Sequence, residues 1–190
     1  MASTAPIASA IEEEFRNLAV LRDAFPMLCD WGVRDESVLV HSLGCNYLAE
    51  LGRSLGFWAM NEFPVRVNGA RTIRPDAVWW NREDRSVRFL TEFERFTAGQ
   101  ETKLADKAKN LLEVYHAAEP KPPVVLLMGW ATSGTDLTLA RKTVAAIARD
   151  GFRNQDGKWV AGVASPNRFL LYFAIFGKKG DELQLISIQP

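Results

Sequence analysis

Asp76, in Arg74-Pro75-Asp76, and the pair Glu92 and Glu94, in Thr91-Glu92-Phe93-Glu94-Arg95, set carboxylates on two neighbouring apolar runs. Side chains two apart on a strand share a face, so Glu92 and Glu94 point the same way. If runs 73–80 and 87–96 pair as a hairpin across the polar turn 81–86, Asp76 falls beside Glu92. Acidic groups crowded onto one sheet face repel unless a proton or a cation sits between them, and hard oxygen ligands suit Mg²⁺ or Mn²⁺. The plainer reading is a set of solvated carboxylates on an edge hairpin. Trp79, Phe89, Leu90, Phe93 and Phe96 around them argue against it, because charge on strands is normally kept where apolar density is low.

The elements that must position these groups follow from periodicity. Residues 37–55 carry Leu39, Leu43, Tyr47, Leu51 and Leu55 as a helical stripe ending near Gly56, with Glu50 on its margin. Residues 63–67 alternate as a first strand, and the hairpin supplies two more. Residues 103–118 form a helix with Leu104, Ala108, Leu111 and Tyr115 inward, broken by Pro122-Pro123. Residues 124–130 are a continuous apolar run, as expected for a strand buried on both faces. A second amphipathic helix spans 137–149, capped by Thr135 or Asp136 and ended by Gly151. Residues 151–165 read as a surface hairpin or loop, and strands 169–176 and 183–188 close the chain around a turn at 177–181.

The expected fold class is therefore α/β (α+β), an αβββαβ core with a central mixed sheet flanked by helices. With 190 residues and 47% hydrophobic content, the chain supports one core, a single domain over 1–190 with 1–36 as an N-terminal helical extension. In that extension, residues 7–21 place Ile11, Phe15, Leu18 and Leu21 at helical spacing with Glu12 to Glu14 opposite. This helix either covers a sheet face or presents Phe15 and Trp31 to a second copy.

Pro75-Asp76, then Glu92-Phe93-Glu94 with Glu92 sixteen residues on, then a helix carrying Lys103 and Lys107, resemble the PD-(D/E)xK nuclease superfamily. That superfamily includes restriction endonucleases and Holliday-junction resolvases. The likeness covers roughly residues 42–130. Within it, Glu-Phe-Glu-Arg-Phe-Thr followed by a lysine-bearing helix ending in Tyr115 is similar to plasmid- and phage-associated branches. The resemblance implies a restriction-endonuclease-like core and metal-dependent hydrolysis of phosphodiester bonds, with DNA as the expected substrate. Asp76 and Glu92 would hold Mg²⁺ or Mn²⁺, Glu94 would be a third ligand or the general base, and Glu50 would add an outer ligand from the preceding helix.

The chain departs from the family at Glu94, where a lysine is usual. A lysine from the following helix can stand in. At 3.6 residues per turn Lys107 lies about 60° from the centre of that helix's apolar face and Lys103 about 100° from it. Lys107 is thus better placed to reach inward and offset charge on the phosphate, although border lysines also snorkel for no catalytic reason. The same departure supports the alternative, a catalytically inactive nuclease-fold module that binds nucleic acid or a protein partner. A third class is an unrelated α+β protein whose Asp76 and Glu92 are structural.

Net charge is zero. Between residues 66 and 109, ten Lys or Arg stand against seven Asp or Glu, and loading a metal onto Asp76, Glu92 and Glu94 would make the segment clearly positive. Arg66, Arg71, Arg74, Arg82, Arg85, Arg88 and Arg95 are candidate phosphate contacts, which position a duplex without reading its sequence. Cys29 and Cys45 lack the spaced partners of a zinc site and read as buried thiols in a reducing compartment. His41 and His116 fall on separate helices and receive no role. Residues 1–10 lack a charged start followed by an apolar core, so they do not read as a signal peptide, and no apolar run approaches bilayer-crossing length. The expectation is a cytoplasmic protein away from the membrane, with DNA as partner and a homodimer as the form that would cut both strands.

Overall fold

Apolar patterning sorts the chain into five helices, ten strands and a π-helical turn among the residues described by the computed structural model, which are 4–190 except 37, 68–70, 164 and 166–167. In order these are α1 (Thr4–Asn17), α2 (Ala19–Ala24), the π turn (Met27–Trp31), α3 (Leu39–Ser54), β1 (Trp58–Asn61), β2 (Val65–Val67), β3 (Arg71–Ile73), β4 (Ala77–Trp80), β5 (Val87–Arg95), α4 (Glu101–Ala117), β6 (Val124–Thr132), α5 (Thr138–Asp150), β7 (Phe152–Arg153), β8 (Trp159–Val160), β9 (Phe169–Lys179) and β10 (Glu182–Gln189). The readings of residues 1–10 as unlike a signal peptide, of a helix start at Ser37 and of a loop through Ala164 touch residues outside the described set.

Six strands form one mixed sheet in the order β1-β4-β5-β6-β9-β10. Strands β5, β6 and β9 run parallel, with Glu92 beside Leu127 and Leu127 beside Leu171, while β4 with β5 and β9 with β10 are antiparallel. β6 sits in the middle and is buried up to its last residue, Thr132, as its unbroken apolar run requires. Helices α4 and α5 return the chain between the parallel strands and cover one face, with Leu104, Ala108, Leu111 and Val144 packed on Leu90, Val125 and Leu127. Helices α1 to α3 cover the other, packed on Trp79, Phe89, Phe93 and Leu126. The elements α3-β1-β4-β5-α4-β6 give the expected αβββαβ order around a central mixed sheet flanked by helices. No helix among the described residues is long and apolar enough to cross a membrane.

The β4–β5 hairpin is set by its turn. The Asn81 Oδ1 atom accepts from the backbone N–H groups of Glu83 and Asp84, at 2.8 and 3.1 Å, a local bond that bends the chain back. At the other end, Gly180 and Asp181 join β9 to β10, with Gly180 at φ +62°.

Two expectations are corrected. The first strand of the sheet is β1, not 63–67; Val65–Val67 instead pairs with β3 as a separate ribbon. β1 is an edge strand whose outward residues, Trp58 and Met60, are large and apolar, which hides its alternation, and Pro64 cannot donate to a ladder. The N-terminal segment 7–21 is two helices rather than one, broken at Leu18, whose φ is +55°. Glu14 lies inward instead of opposite the apolar stripe. Its carboxylate accepts from the N–H groups of Val20 and Leu21, each at 3.1 Å, and from the Tyr47 hydroxyl at 3.0 Å, so it supplies partners for the open first turn of α2. Phe15 is buried against Tyr172 and cannot face a second copy, whereas Trp31 is exposed.

Candidate functional site

β5 outruns its antiparallel neighbour. β4 begins at Ala77, opposite Thr91, and beyond that pair no strand among the described residues covers this edge of β5. Asp76 takes the vacant place: its Oδ2 accepts the Phe93 N–H at 2.7 Å. Pro75 precedes it with a fixed φ and no donor of its own, which suits a chain leaving the ladder. A carboxylate thus lies at the level of the sheet, buried, and open to groups arriving from either face.

On the α4 face, Glu92 and Glu94 project together, as their spacing requires, and both are buried. Lys107 Nζ lies 2.6 Å from Glu92 Oε2 and 3.7 Å from Glu94 Oε2, and Lys103 Nζ lies 2.7 Å from Glu94 Oε1. Lys107 reaches inward and Lys103 is half exposed, which follows from their different angles on α4. Burial, followed by the charge of Asp76 within hydrogen-bonding reach, pushes the Glu92 carboxyl up to about 8 in spite of Lys107. Burial works against the Lys107 ammonium too, but Glu92, Asp76 and Glu94 outweigh it and hold its pKa above the ordinary value. Three carboxylates therefore share two ammonium groups, and the crowding that raises the Glu92 pKa is one that a divalent cation would relieve. An all-oxygen donor set with an excess of negative charge fits Mg²⁺ or Mn²⁺.

On the opposite face α3 lies close to the sheet because two of its residues have no side chain. A Cβ at Gly44 would stand 2.1 Å from the Phe93 ring, and one at Gly52 would stand 2.6 Å from the Trp79 ring. The close approach brings His41 and Cys45 to Asp76: Cys45 Sγ is 3.5 Å from His41 Nε2, which is 3.8 Å from Asp76 Oδ1. One ligand atom from each of the three lies within 4.8 Å of the others. Burial pushes the Cys45 thiol well up, and the charges of Asp76 and Glu92 add to this. Neither residue carries a role in the sequence reading. The missed signal is their i, i+4 spacing, which places both on one helix face. Cys45 is the buried thiol the sequence reading expects, whereas Cys29 is half-buried; the neighbours of Cys45 come from helical spacing and from a distant strand end.

Glu92 and Lys107 form the floor of a cleft of about 580 Å³. Its walls carry Arg71, Arg74, Lys109 and Arg153, against Asp106 and Glu113, with Asn154 and Gln155 from the β7–β8 hairpin on the far side. Arg71 is anchored by Glu113 at 3.3 Å and Asn110 at 3.1 Å. Of the other arginines singled out for phosphate, Arg88 pairs with Asp84, Arg95 pairs with Asp35 and stacks on Trp130, and Arg82 donates to the Phe57 carbonyl. The structure does not bring Glu50 to this group. It pairs with Arg53 at 3.0 Å and projects about 140° around α3 from Cys45, away from the carboxylates. His116 sits elsewhere, on the Ala161 carbonyl. No family model, no curated protein and no solved structure matches the chain.

Proposed function

We propose that this protein is a divalent-metal-dependent nuclease of the PD-(D/E)xK kind, hydrolysing phosphodiester bonds in DNA at the Asp76–Glu92–Glu94–Lys107 cluster. The observation that carries this reading is the convergence of three buried carboxylates on one inward ammonium, with Glu92 and Lys107 of that cluster lining a cleft whose walls are basic. Asp76 and Glu92, with Glu94 alongside, would hold one or two Mg²⁺ or Mn²⁺ ions, which when bound supply Lewis-acid polarisation of the phosphate.

The chain's own residues account for the rest. Arg71 and Arg74 face the cleft and would steady a phosphate backbone by charge, with Arg71 pre-oriented by Glu113 and Asn110. Lys107 keeps its proton and offsets the charge that builds on the phosphate as the fifth oxygen approaches. Glu94, between Lys103 and Lys107, would take a proton from the attacking water. An ammonium drawn from α4 answers the loss of the usual lysine at position 94.

The test is cleavage of supercoiled, linear and single-stranded DNA in Mg²⁺ or Mn²⁺ by the native chain and by Asp76→Asn. The variant keeps an oxygen for the Phe93 N–H while removing the charge. Cutting that falls at least about 100-fold in the variant supports the assignment. Equal cutting by both refutes it, and no cutting by either moves the reading to the non-cleaving module that binds nucleic acid or protein.

A further inference from the structure

We infer a second, chemically distinct metal site on the opposite side of Asp76, in which Cys45, His41 and Asp76 take a borderline-soft divalent cation of the Zn²⁺ class. It shares Asp76 with the proposed cleavage site and is otherwise independent of that reading. The three ligand types, thiolate, imidazole and carboxylate, are those that select zinc over magnesium.

Two of their three separations are close to those of a tetrahedral centre, and the third, Cys45 to Asp76, lies within 4.8 Å. With Zn–S at about 2.3 Å, and Zn–N and Zn–O at about 2.0–2.2 Å, the edges of the tetrahedron measure about 3.5 Å for S···N and about 3.4 Å for N···O. The structure has 3.5 Å between Cys45 Sγ and His41 Nε2, and 3.8 Å between His41 Nε2 and Asp76 Oδ1. The second distance is too long for a hydrogen bond, so imidazole and carboxylate face each other here only at charge-pairing range. A cation between them accounts for both separations with a shift of less than half an ångström.

Three features of the fold make this a built site. Cys45 and His41 are one helical turn apart, so α3 presents them as a pair. Gly44 lets that turn settle against Phe93, which fixes the depth of the pair relative to the sheet. Asp76 is held independently by the Phe93 N–H through its other oxygen, leaving Oδ1 toward His41. Cys45 is buried while a third of the His41 side chain is exposed, which provides an entry path and an open fourth position.

The chain's second thiol provides an internal control. Cys29 lies on the π turn, with its Sγ 3.9 Å from the Pro26 carbonyl. Co²⁺ is the probe, because a thiolate bound to it gives a charge-transfer band in the near ultraviolet and a tetrahedral site gives intense visible bands.

Titrating reduced, chelator-treated protein with Co²⁺ should give both signatures at one ion per chain, and Zn²⁺ should abolish them. Cys29→Ser should keep the charge-transfer band and Cys45→Ser should lose it. His41→Gln should weaken binding by more than about tenfold, since loss of even an outer-shell partner of a metal ligand costs about 10–100-fold. Far-ultraviolet circular dichroism of each variant identifies any that fail to fold; the Cys45→Ser and His41→Gln results carry the test separately. Absence of a thiolate band in the folded native chain overturns the site, as does a band that survives Cys45→Ser. Glu92→Gln separates the two proposals. It should stop Mg²⁺-supported cleavage yet leave the cobalt spectrum in place, so either site can fail without the other.

Discussion

Raising the pH should destabilise this protein through Glu92, by an amount set by where that carboxyl sits. Glu92 is 1% exposed, and burial together with the charge of Asp76 lifts its pKa from 4.5 to about 8 against the pull of Lys107. In the unfolded chain the proton leaves near 4.5 and in the folded chain near 8. Between those values the native state binds more protons than the unfolded one, so the stabilising contribution is complete below 4.5 and is lost as pH rises through 8. At about 1.4 kcal/mol per pKa unit, the whole loss is about 5 kcal/mol, and about 3 kcal/mol of it has gone by pH 7.

Glu92→Gln has the same shape and no proton to lose, so titrating groups that do not act on Glu92 cancel in the difference between the two proteins. Urea unfolding in chelator at pH 5, 6, 7 and 8 should give a difference under about 1 kcal/mol at pH 5 that grows by about 1.4 kcal/mol per unit in favour of the variant. Parallel curves would refute the reasoning, for they would mean that Glu92 is already ionised in the folded protein at neutral pH. A cation seated between Asp76 and Glu92 replaces the proton. Excess Mg²⁺ at pH 8 should therefore restore stability to the native chain and far less to Glu92→Gln.

Lys107→Ala should slow single-turnover DNA cleavage by about 100-fold or more, and Lys103→Ala by less than about tenfold, because Lys107 contacts both buried glutamates and Lys103 is half exposed on one; equal losses would remove the distinction. Gly44→Ala should cost about 1–3 kcal/mol in urea unfolding, since its Cβ would meet the buried Phe93 ring at 2.1 Å. At Gly180, open space surrounds a Cβ and only the φ of +62° resists it, so Gly180→Ala should cost about 1–2 kcal/mol and leave the Co²⁺ spectrum untouched. Tyr47→Phe should cost about 1.5–3 kcal/mol, the range for a hydrogen bond to a charged group, because Glu14 loses its hydroxyl partner in the core; a neutral result would show that Glu14 is satisfied by α2 alone.

What the sequence discloses and what it hides divide along physical lines. Strands β5 and β6 and helix α4 are legible because their periods are strong and their faces are one-sided. Glu92 and Glu94 share a face for the same reason, and the angles of Lys103 and Lys107 on α4 foretell their different depths. Edge strand β1 is hidden because its outward residues are apolar, and the break at Leu18 is hidden because a buried Glu14, normally a surface type, replaces the helix's own acceptors. His41 and Cys45 are half legible. Their i, i+4 spacing is written in the chain, but their meeting with Asp76 depends on how closely α3 approaches the sheet, and Gly44 and Gly52 disclose their purpose only once Phe93 and Trp79 are placed opposite them.

The position of Asp76 at a strand end, rather than inside a strand, makes the rest of the site possible. Within a ladder its side chain would be committed to one face by the two-residue alternation, and only one helix could reach it. One residue before β4 begins, the carboxylate instead turns along the sheet and replaces the missing strand as acceptor for the Phe93 N–H. That bond fixes one oxygen and leaves the group accessible on the α4 face to Glu92 of β5, which Lys107 pairs with, and on the other face to His41 and Cys45 of α3. Oxygen donors on one face and nitrogen and sulfur donors on the other thus meet at one side chain. The arrangement requires β5 to be longer than β4, which the sheet achieves by pairing the far half of β5 with β6 alone.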